Sequence, residues 1–296
     1  MLQIQMRILR VFGLSKAEMN SIIENAQAEG SPSLRLQERD GEYLVCVQAS
    51  APTQAMADEY CEKWVQKLRT RFGDACYGFE DTTLAQAALD ALLKKRRLLV
   101  AADEATGRLL GNALRGLQHS EAAFDFGNQT YLNPANARRI AAPEALLKKF
   151  PGDMVQAAAG RAQSALLLAN ADYAAVYMPA TVGQAPFVLL CSRIGAAACA
   201  LSPEISDMAI ANHILDLARR RALGMHLGPS AITFKPGRER PLLLVSGEGQ
   251  PRPGFRFTLR RKAAPAKPAT GCAAASRPPA PTAALCPMNR GAALFW

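Results

Sequence analysis

The chain of 296 residues has no run of eighteen apolar residues, so no segment reads as a membrane-spanning helix. Gln3, Gln5, Arg7, Arg10 and Lys16 interrupt the first twenty residues, which excludes the apolar core of a signal peptide. The seven cysteines form no Cys-x-x-Cys pair and there are only three histidines, at 119, 213 and 226, so neither a zinc site nor any other metal or cofactor is expected. An odd cysteine count without a secretory signal fits free thiols in a reducing compartment, and the expected localisation is cytoplasmic, away from any membrane.

A charge surplus is also missing where a nucleic-acid surface would need one. The net charge is +10, but residues 229–296 hold eleven Lys or Arg against two Glu, whereas residues 1–228 hold 24 basic against 23 acidic residues. The basic stretch is rich in Ala and Pro, as in Lys262-Ala-Ala-Pro-Ala-Lys-Pro-Ala, and is expected to be disordered because it cannot bury enough apolar area to offset chain entropy. Such a tail would bind nucleic acid only weakly and in a salt-sensitive way.

What the sequence does contain is an alternation of helical and extended patterns. Helices are expected over Lys16–Glu29, Thr53–Phe72, Thr82–Arg96, Gly107–Leu117, Pro143–Phe150, Gly152–Leu168 and Pro203–Leu223. Strands are expected over Leu34–Glu38, Tyr43–Ala49, Leu98–Ala102, Ala122–Thr130, Tyr173–Met178, Phe187–Ser192 and Ile194–Ser202. Pro143 and Pro203 suit the first turn of the helices they would open. Ala231–Lys235, Pro241–Ser246 and Phe255–Arg260 could be further short strands. The fold class is α/β: a small α+β module, then an α/β/α sandwich around a mixed sheet. The boundaries expected are 1–80, 81–228, a β extension over 229–260 and a tail over 261–296.

The most informative stretch is Leu98–Arg108, an apolar strand ending in the polar turn Ala102-Asp-Glu-Ala-Thr-Gly107 before a helix. A strand that delivers a turn to a helix start gathers backbone N–H groups and a positive dipole end at one point, which suits a nucleophile or an anion. The turn holds neither Ser nor Cys. Asp103, Glu104 and Thr106 are the residue types that cap a helix, and capping is the favoured reading of them; the catalytic reading needs Thr106 as nucleophile or Glu104 as general base.

Val100–Arg108 resembles the A-E-S-C-T-G-G signature of the competence/damage-inducible CinA family, whose C-terminal domain is a nicotinamide-nucleotide amidase. The family serine falls on Glu104, its cysteine on Ala105 and its second glycine on Arg108, while Asp103, Thr106 and Gly107 keep the pattern. A second motif resembles Phe126–Asn136: its tyrosine stands at Tyr131 and its asparagine at Asn133, and its lysine is replaced by Asn136. A glycine-rich third motif is similar to Val176–Pro186, with Met178, Pro179 and Thr181 in place of glycines, substitutions that should reshape a pocket wall. Upstream, Val11–Gly78 resembles the family's KH-like linker domain, so the resemblance covers roughly residues 10–223 and lacks the N-terminal domain similar to molybdopterin-binding proteins. No G-x-x-G loop lies between the first two helices, so this module is read as architectural or dimerising rather than RNA-binding.

The resemblance implies Glu104, Thr106 and Tyr131 as a remnant catalytic set and Asp103, Gly107, Asn133 and Asn136 as substrate contacts, with a pyridine nucleotide as ligand and a homo-oligomeric state. Three functions follow. The favoured one is a catalytically degenerate, CinA-like protein acting as a nucleotide-binding or oligomeric regulator. A divergent amidase converting nicotinamide mononucleotide to nicotinate mononucleotide and ammonia is the alternative, and a weak nucleic-acid binder acting through its tail is the third.

Overall fold

The computed structural model describes residues 2–125, 153–228 and 230–234, together with Ala135, Ala145, Lys148 and Lys149. Tyr131, Asn133 and Asn136, the strands expected after residue 240 and the basic tail all lie outside the described residues, and of the helix expected over Pro143–Phe150 only Ala145, Lys148 and Lys149 are described, all three helical.

The N-terminal module is a four-stranded antiparallel sheet in the order β2-β3-β1-β4, formed by β1 (Gln3–Phe12), β2 (Ser33–Arg39), β3 (Glu42–Ala51) and β4 (Cys76–Phe79). Helices α1 (Lys16–Ala28) and α2 (Gln54–Phe72) contribute to its core. Ser15 and Glu18 close a reciprocal capping box at the start of α1, and Thr53 caps α2. The α2 face carrying Cys61, Trp64, Val65, Leu68 and Phe72 is buried with Leu9 and Val11 of β1 and Tyr43, Val45 and Val47 of β3. Two of these strands, β1 and β4, are additions to the sequence expectation.

The second module is a six-stranded mixed sheet in the order β10-β9-β8-β7-β5-β6. Its strands are β5 (Leu99–Ala101), β6 (Phe124–Asp125), β7 (Tyr173–Met178), β8 (Phe187–Ser192), β9 (Gly195–Ala200) and β10 (Ile232–Phe234). β5 is parallel to β6 and β7, and every other pair is antiparallel. Side chains alternate between two cores, as period-2 strands buried on both faces must. Leu99, Ala101, Ala175, Val188 and Leu190 pack with α3 (Leu84–Lys94), α4 (Glu104–Leu114) and α6 (Asp207–Leu223). Val100, Ala174, Val176, Phe187 and Leu189 pack with α5 (Met154–Leu168) on the opposite face. The α5 side is built mainly from alanines, including Ala158, Ala159, Ala162, Ala165, Ala174, Ala196 and Ala198.

Two helix starts differ from the sequence expectation. α4 begins at Glu104 rather than Gly107, because the Asp103 carboxylate accepts from the Thr106 N–H at 2.8 Å and caps it three residues earlier. α6 begins at Asp207 rather than Pro203, because Ser206 is its cap and accepts from the Ala209 N–H. Pro203 therefore sits in the preceding turn rather than in the helix.

Helix α6 joins the two modules. Asp216, 5% exposed, takes Arg219 at 2.7 Å on one carboxylate oxygen and Arg220 at 2.6 Å on the other. Each arginine then reaches into the first module: Arg219 donates to the Asp74 carbonyl at 2.8 Å and Arg220 to the Phe12 carbonyl at 3.1 Å. Gly13 has φ +85°, and a Cβ there would stand 3.3 Å from the Arg220 guanidinium, so this crossing favours glycine on both counts. Ser206 donates to the Asp40 carboxylate at 2.8 Å, and Asn212 to the Asp40 carbonyl at 3.3 Å. His213 meets the Phe12 ring edge-to-face at 5.0 Å.

Two tests follow from this joint. Asp216→Ala strands two buried guanidinium groups without their counter-charge and should cost about 3–5 kcal/mol in urea denaturation. Burial holds the His213 imidazole down, to about 4 from its ordinary 6.5, with Asp216 opposing the shift. The unfolded chain therefore takes up this proton at higher pH than the folded one. Stability is full above pH 6.5 and falls as the pH drops toward 4, by about 3 kcal/mol in all. In His213→Phe this part of the acid slope should vanish, as read from unfolding midpoints between pH 7 and 4.

Candidate functional site

The chain order around β5 creates the site. From β5 it passes through α4 on one face to β6, then returns along α5 on the other face to β7, on the far side of β5. The carboxyl end of β5 is thus a point where the winding reverses, the position at which open α/β sheets hold their ligands. A cleft of about 550 Å³ opens there, lined by Asp103, Glu104, Ala105 and Arg108 from the start of α4, Arg161 of α5, and Tyr177, Met178 and Pro179 at the end of β7. That volume falls within the usual range for small-molecule sites.

Each expected site residue within the described part can be placed. Asp103 caps α4 through Oδ1, and its Oδ2 lies 3.8 Å from Arg161 Nη1. Glu104 is the first residue of α4 and is exposed at the mouth of the cleft. Thr106 is fully buried, and its hydroxyl oxygen accepts from the Tyr177 N–H at 2.9 Å. β5 ends before it can pair with Tyr177: its last ladder bond runs from the Ala102 N–H to the Ala175 carbonyl at 2.9 Å. Thr106 takes over where the strand stops, and so fastens α4 to β7. Gly107 is buried, and its N–H donates to the Asp103 carbonyl at 2.9 Å, an ordinary helical bond.

The cleft carries both signs of charge. Asp103 and Glu104 face Arg108 and Arg161, and the Arg161 Nε is buried with no hydrogen-bond partner among the described residues. Tyr177 lies at the cleft wall, where burial, helped by Asp207, raises its phenol above the usual range and keeps it a proton donor at neutral pH. Met178 and Pro179 form part of the wall, as the third motif led us to expect. Tyr177 and Arg108 have no role assigned from the sequence, although both sit inside the recognised motifs; Arg161 reads from the sequence as able to meet a ligand phosphate, with a solvated helix face the more frequent fate of such a residue.

The other chemistry-bearing groups are spent structurally. Among the described residues, no three His, Cys, Asp or Glu side chains converge as a metal site would require. The five described cysteines are free thiols, with burial raising Cys191 to about 11 and Cys199 to about 12. They are therefore inert apolar fillers rather than nucleophiles. No helix among the described residues is long and apolar enough to cross a membrane.

The fold and cleft define an α/β/α sandwich carrying a KH-like module on its N-terminal side. Residues 6–78 match the family model of the damage-inducible protein CinA KH domain. A putative competence-damage inducible protein of Caldicellulosiruptor saccharolyticus is 26% identical over 173 residues, covering 58% of this chain and 42% of its own. A CinA-like protein of Dictyoglomus thermophilum is 27% identical over 148 residues, with 50% and 36% covered, and one of Desulfovibrio desulfuricans is 27% identical over 166 residues, with 56% and 39% covered. The similarity to CinA-like proteins thus extends over half or more of this chain, which spans about two-fifths of the length of these relatives. A formyltetrahydrofolate deformylase from Pseudomonas putida superposes with a TM-score of only 0.17 at 10% identity, over 78% of this chain and 100% of that one.

The Thr106 fastening can be tested directly. Thr106→Val keeps the shape but leaves the Tyr177 N–H without an acceptor, and should lower stability by about 1–3 kcal/mol in chemical denaturation. Thr106→Ser should recover most of that loss.

Proposed function

We propose that this chain is a CinA-like protein that keeps the amidase-type scaffold as a ligand-binding module and does not hydrolyse amides. The observation that carries this reading is the state of the two groups at the turn. Acyl transfer needs an activated hydroxyl or thiol beside donors for the developing oxyanion. The hydroxyl present, that of Thr106, is fully buried and accepts from the Tyr177 N–H. At the position that resembles the family serine, Glu104 puts an exposed carboxylate, negative where an oxyanion would have to settle.

The same charges favour a ligand of mixed sign. A pyridinium nucleotide carries a cationic ring, which the carboxylates of Asp103 and Glu104 would favour. Its phosphate would suit Arg108 and Arg161, and its ring could lie on Tyr177. A nicotinamide mononucleotide-like ligand is therefore the reading that the lining supports best.

Purified protein should bind nicotinamide mononucleotide by calorimetry while releasing ammonia only at background rate. Arg161→Ala should weaken that binding about tenfold, the usual scale for one charge-assisted contact. Glu104→Ser combined with Asn136→Lys should restore measurable deamidation. Ammonia release by the unaltered chain that disappears in Glu104→Ala or Thr106→Ala would overturn the non-hydrolytic reading and establish the divergent amidase instead.

A further inference from the structure

We infer that the edge of β1 left open among the described residues is the self-association surface of this protein, where a second copy adds its own β1 in antiparallel register. The first half of β1 is patterned the wrong way round for a strand of this sheet. Leu9 and Val11 point into the core beneath the helices, so Gln3, Gln5 and Arg7 share that side, and Gln5 accordingly accepts from Gln54 of α2 at 3.3 Å. Ile4 and Met6 are left on the outer face. Together with Leu2 they are 66%, 58% and 54% exposed for Leu2, Ile4 and Met6 in turn, beside half-buried Ile8, Leu44 and Cys46.

Among the described residues, no strand pairs with the other edge of this half-strand. β3 follows β1 along its whole length, from Gln3 opposite Ala51 to Phe12 opposite Glu42, but β4 reaches only Leu9–Val11. The ladder on that side ends at Ile8, whose carbonyl accepts from the Glu80 N–H at 3.0 Å and whose N–H donates to the Glu80 carboxylate at 3.4 Å. Ile8 thus turns both backbone groups away from β3, and by the two-residue repeat Ile4 and Met6 do the same, towards solvent.

The edge is self-complementary. A two-fold pairing centred on Gln5 sets Ile4 opposite Met6 of the second copy as a doubly hydrogen-bonded pair, and by symmetry Met6 opposite Ile4. The paired stretch runs from Gln3 opposite Arg7 to Arg7 opposite Gln3, so no like charges meet, and it ends where Glu80 occupies the edge at Ile8; Arg7 already has Glu80 at 3.6 Å. The apolar residues of both copies line one continuous outer face. The opposite edge of the sheet contrasts with this: β2 carries Arg35, Glu38 and Arg39, the charges that keep an edge from pairing.

Sedimentation velocity on the full chain across a concentration series tests this. The unaltered protein should show a reversible monomer–dimer equilibrium. Ile4→Lys and Met6→Glu should each raise the dimer dissociation constant at least about tenfold, and an equimolar mixture of the two variants should regain dimer, because those positions face each other across the pair. Ile4→Pro removes an outward N–H without touching the β3 ladder. It should also give monomer, with an unchanged circular dichroism spectrum to show that the fold persists. A chain that is monomeric throughout would leave the edge to some other partner and overturn the proposal, as would a dimer indifferent to all three substitutions or variants that fail to complement one another.

Discussion

Everything in the described structure hangs on one carboxylate. Asp216 holds Arg219 and Arg220 in the positions from which each guanidinium caps a main-chain carbonyl of the other module. Two buried arginines without that counter-charge would have to be rehydrated or expelled, and the carbonyls of Phe12 and Asp74 would lose their donors. Because all three charges sit within one turn and a half of α6, the helix itself sets the spacing of the two guanidinium groups. The same helix, with Ser206 at its start, also supplies the Ser206 and Asn212 bonds to Asp40 and the His213 ring on Phe12.

The cleft depends on a second sharing of roles. The same three residues at the start of α4 also define its chemistry: Asp103 caps the helix with one oxygen and lines the cleft with Glu104, and Thr106 fastens the helix to β7. What remains available to a ligand is supplied from elsewhere in the sequence, by Arg161 and Tyr177, whose separation along the chain from the turn is large and whose proximity is a product of the winding around β5.

That division explains how much could be read from the amino-acid order. Helix α2 was legible nearly to the residue, because Ala57, Cys61, Trp64, Val65, Leu68 and Phe72 repeat at helical spacing and all are buried. The turn at Asp103 was legible for the same reason, since capping is a local property. β1 escaped although Gln3–Ile8 alternates cleanly: its apolar residues point away from the core, and the phase reverses at the adjacent pair Ile8 and Leu9. β4 has four residues and no pattern to offer. The start of α6 was misread because Pro203 is a conspicuous signal and Ser206, the residue that caps the helix, is a quiet one. For Arg161 the sequence offered a phosphate contact but favoured a solvated helix face, because a single arginine on an alanine-rich helix does not show which end of the sheet it will reach.

The two faces of the central sheet also differ in their freedom to change. Against α3, α4 and α6 the sheet meets leucines and isoleucines, long side chains that can exchange volume with their neighbours. Against α5 it meets chiefly methyl groups, from Ala158, Ala159, Ala162, Ala165, Ala174 and Ala198, and a methyl has no rotamer to move. The distance between that helix and the sheet is consequently fixed by the backbone itself. Enlarging a single residue on the leucine side can be absorbed by its neighbours, whereas a larger side chain on the alanine side would have to push the helix off the sheet. Arg161 is carried on that helix, so any such displacement would also shift its guanidinium relative to the cleft.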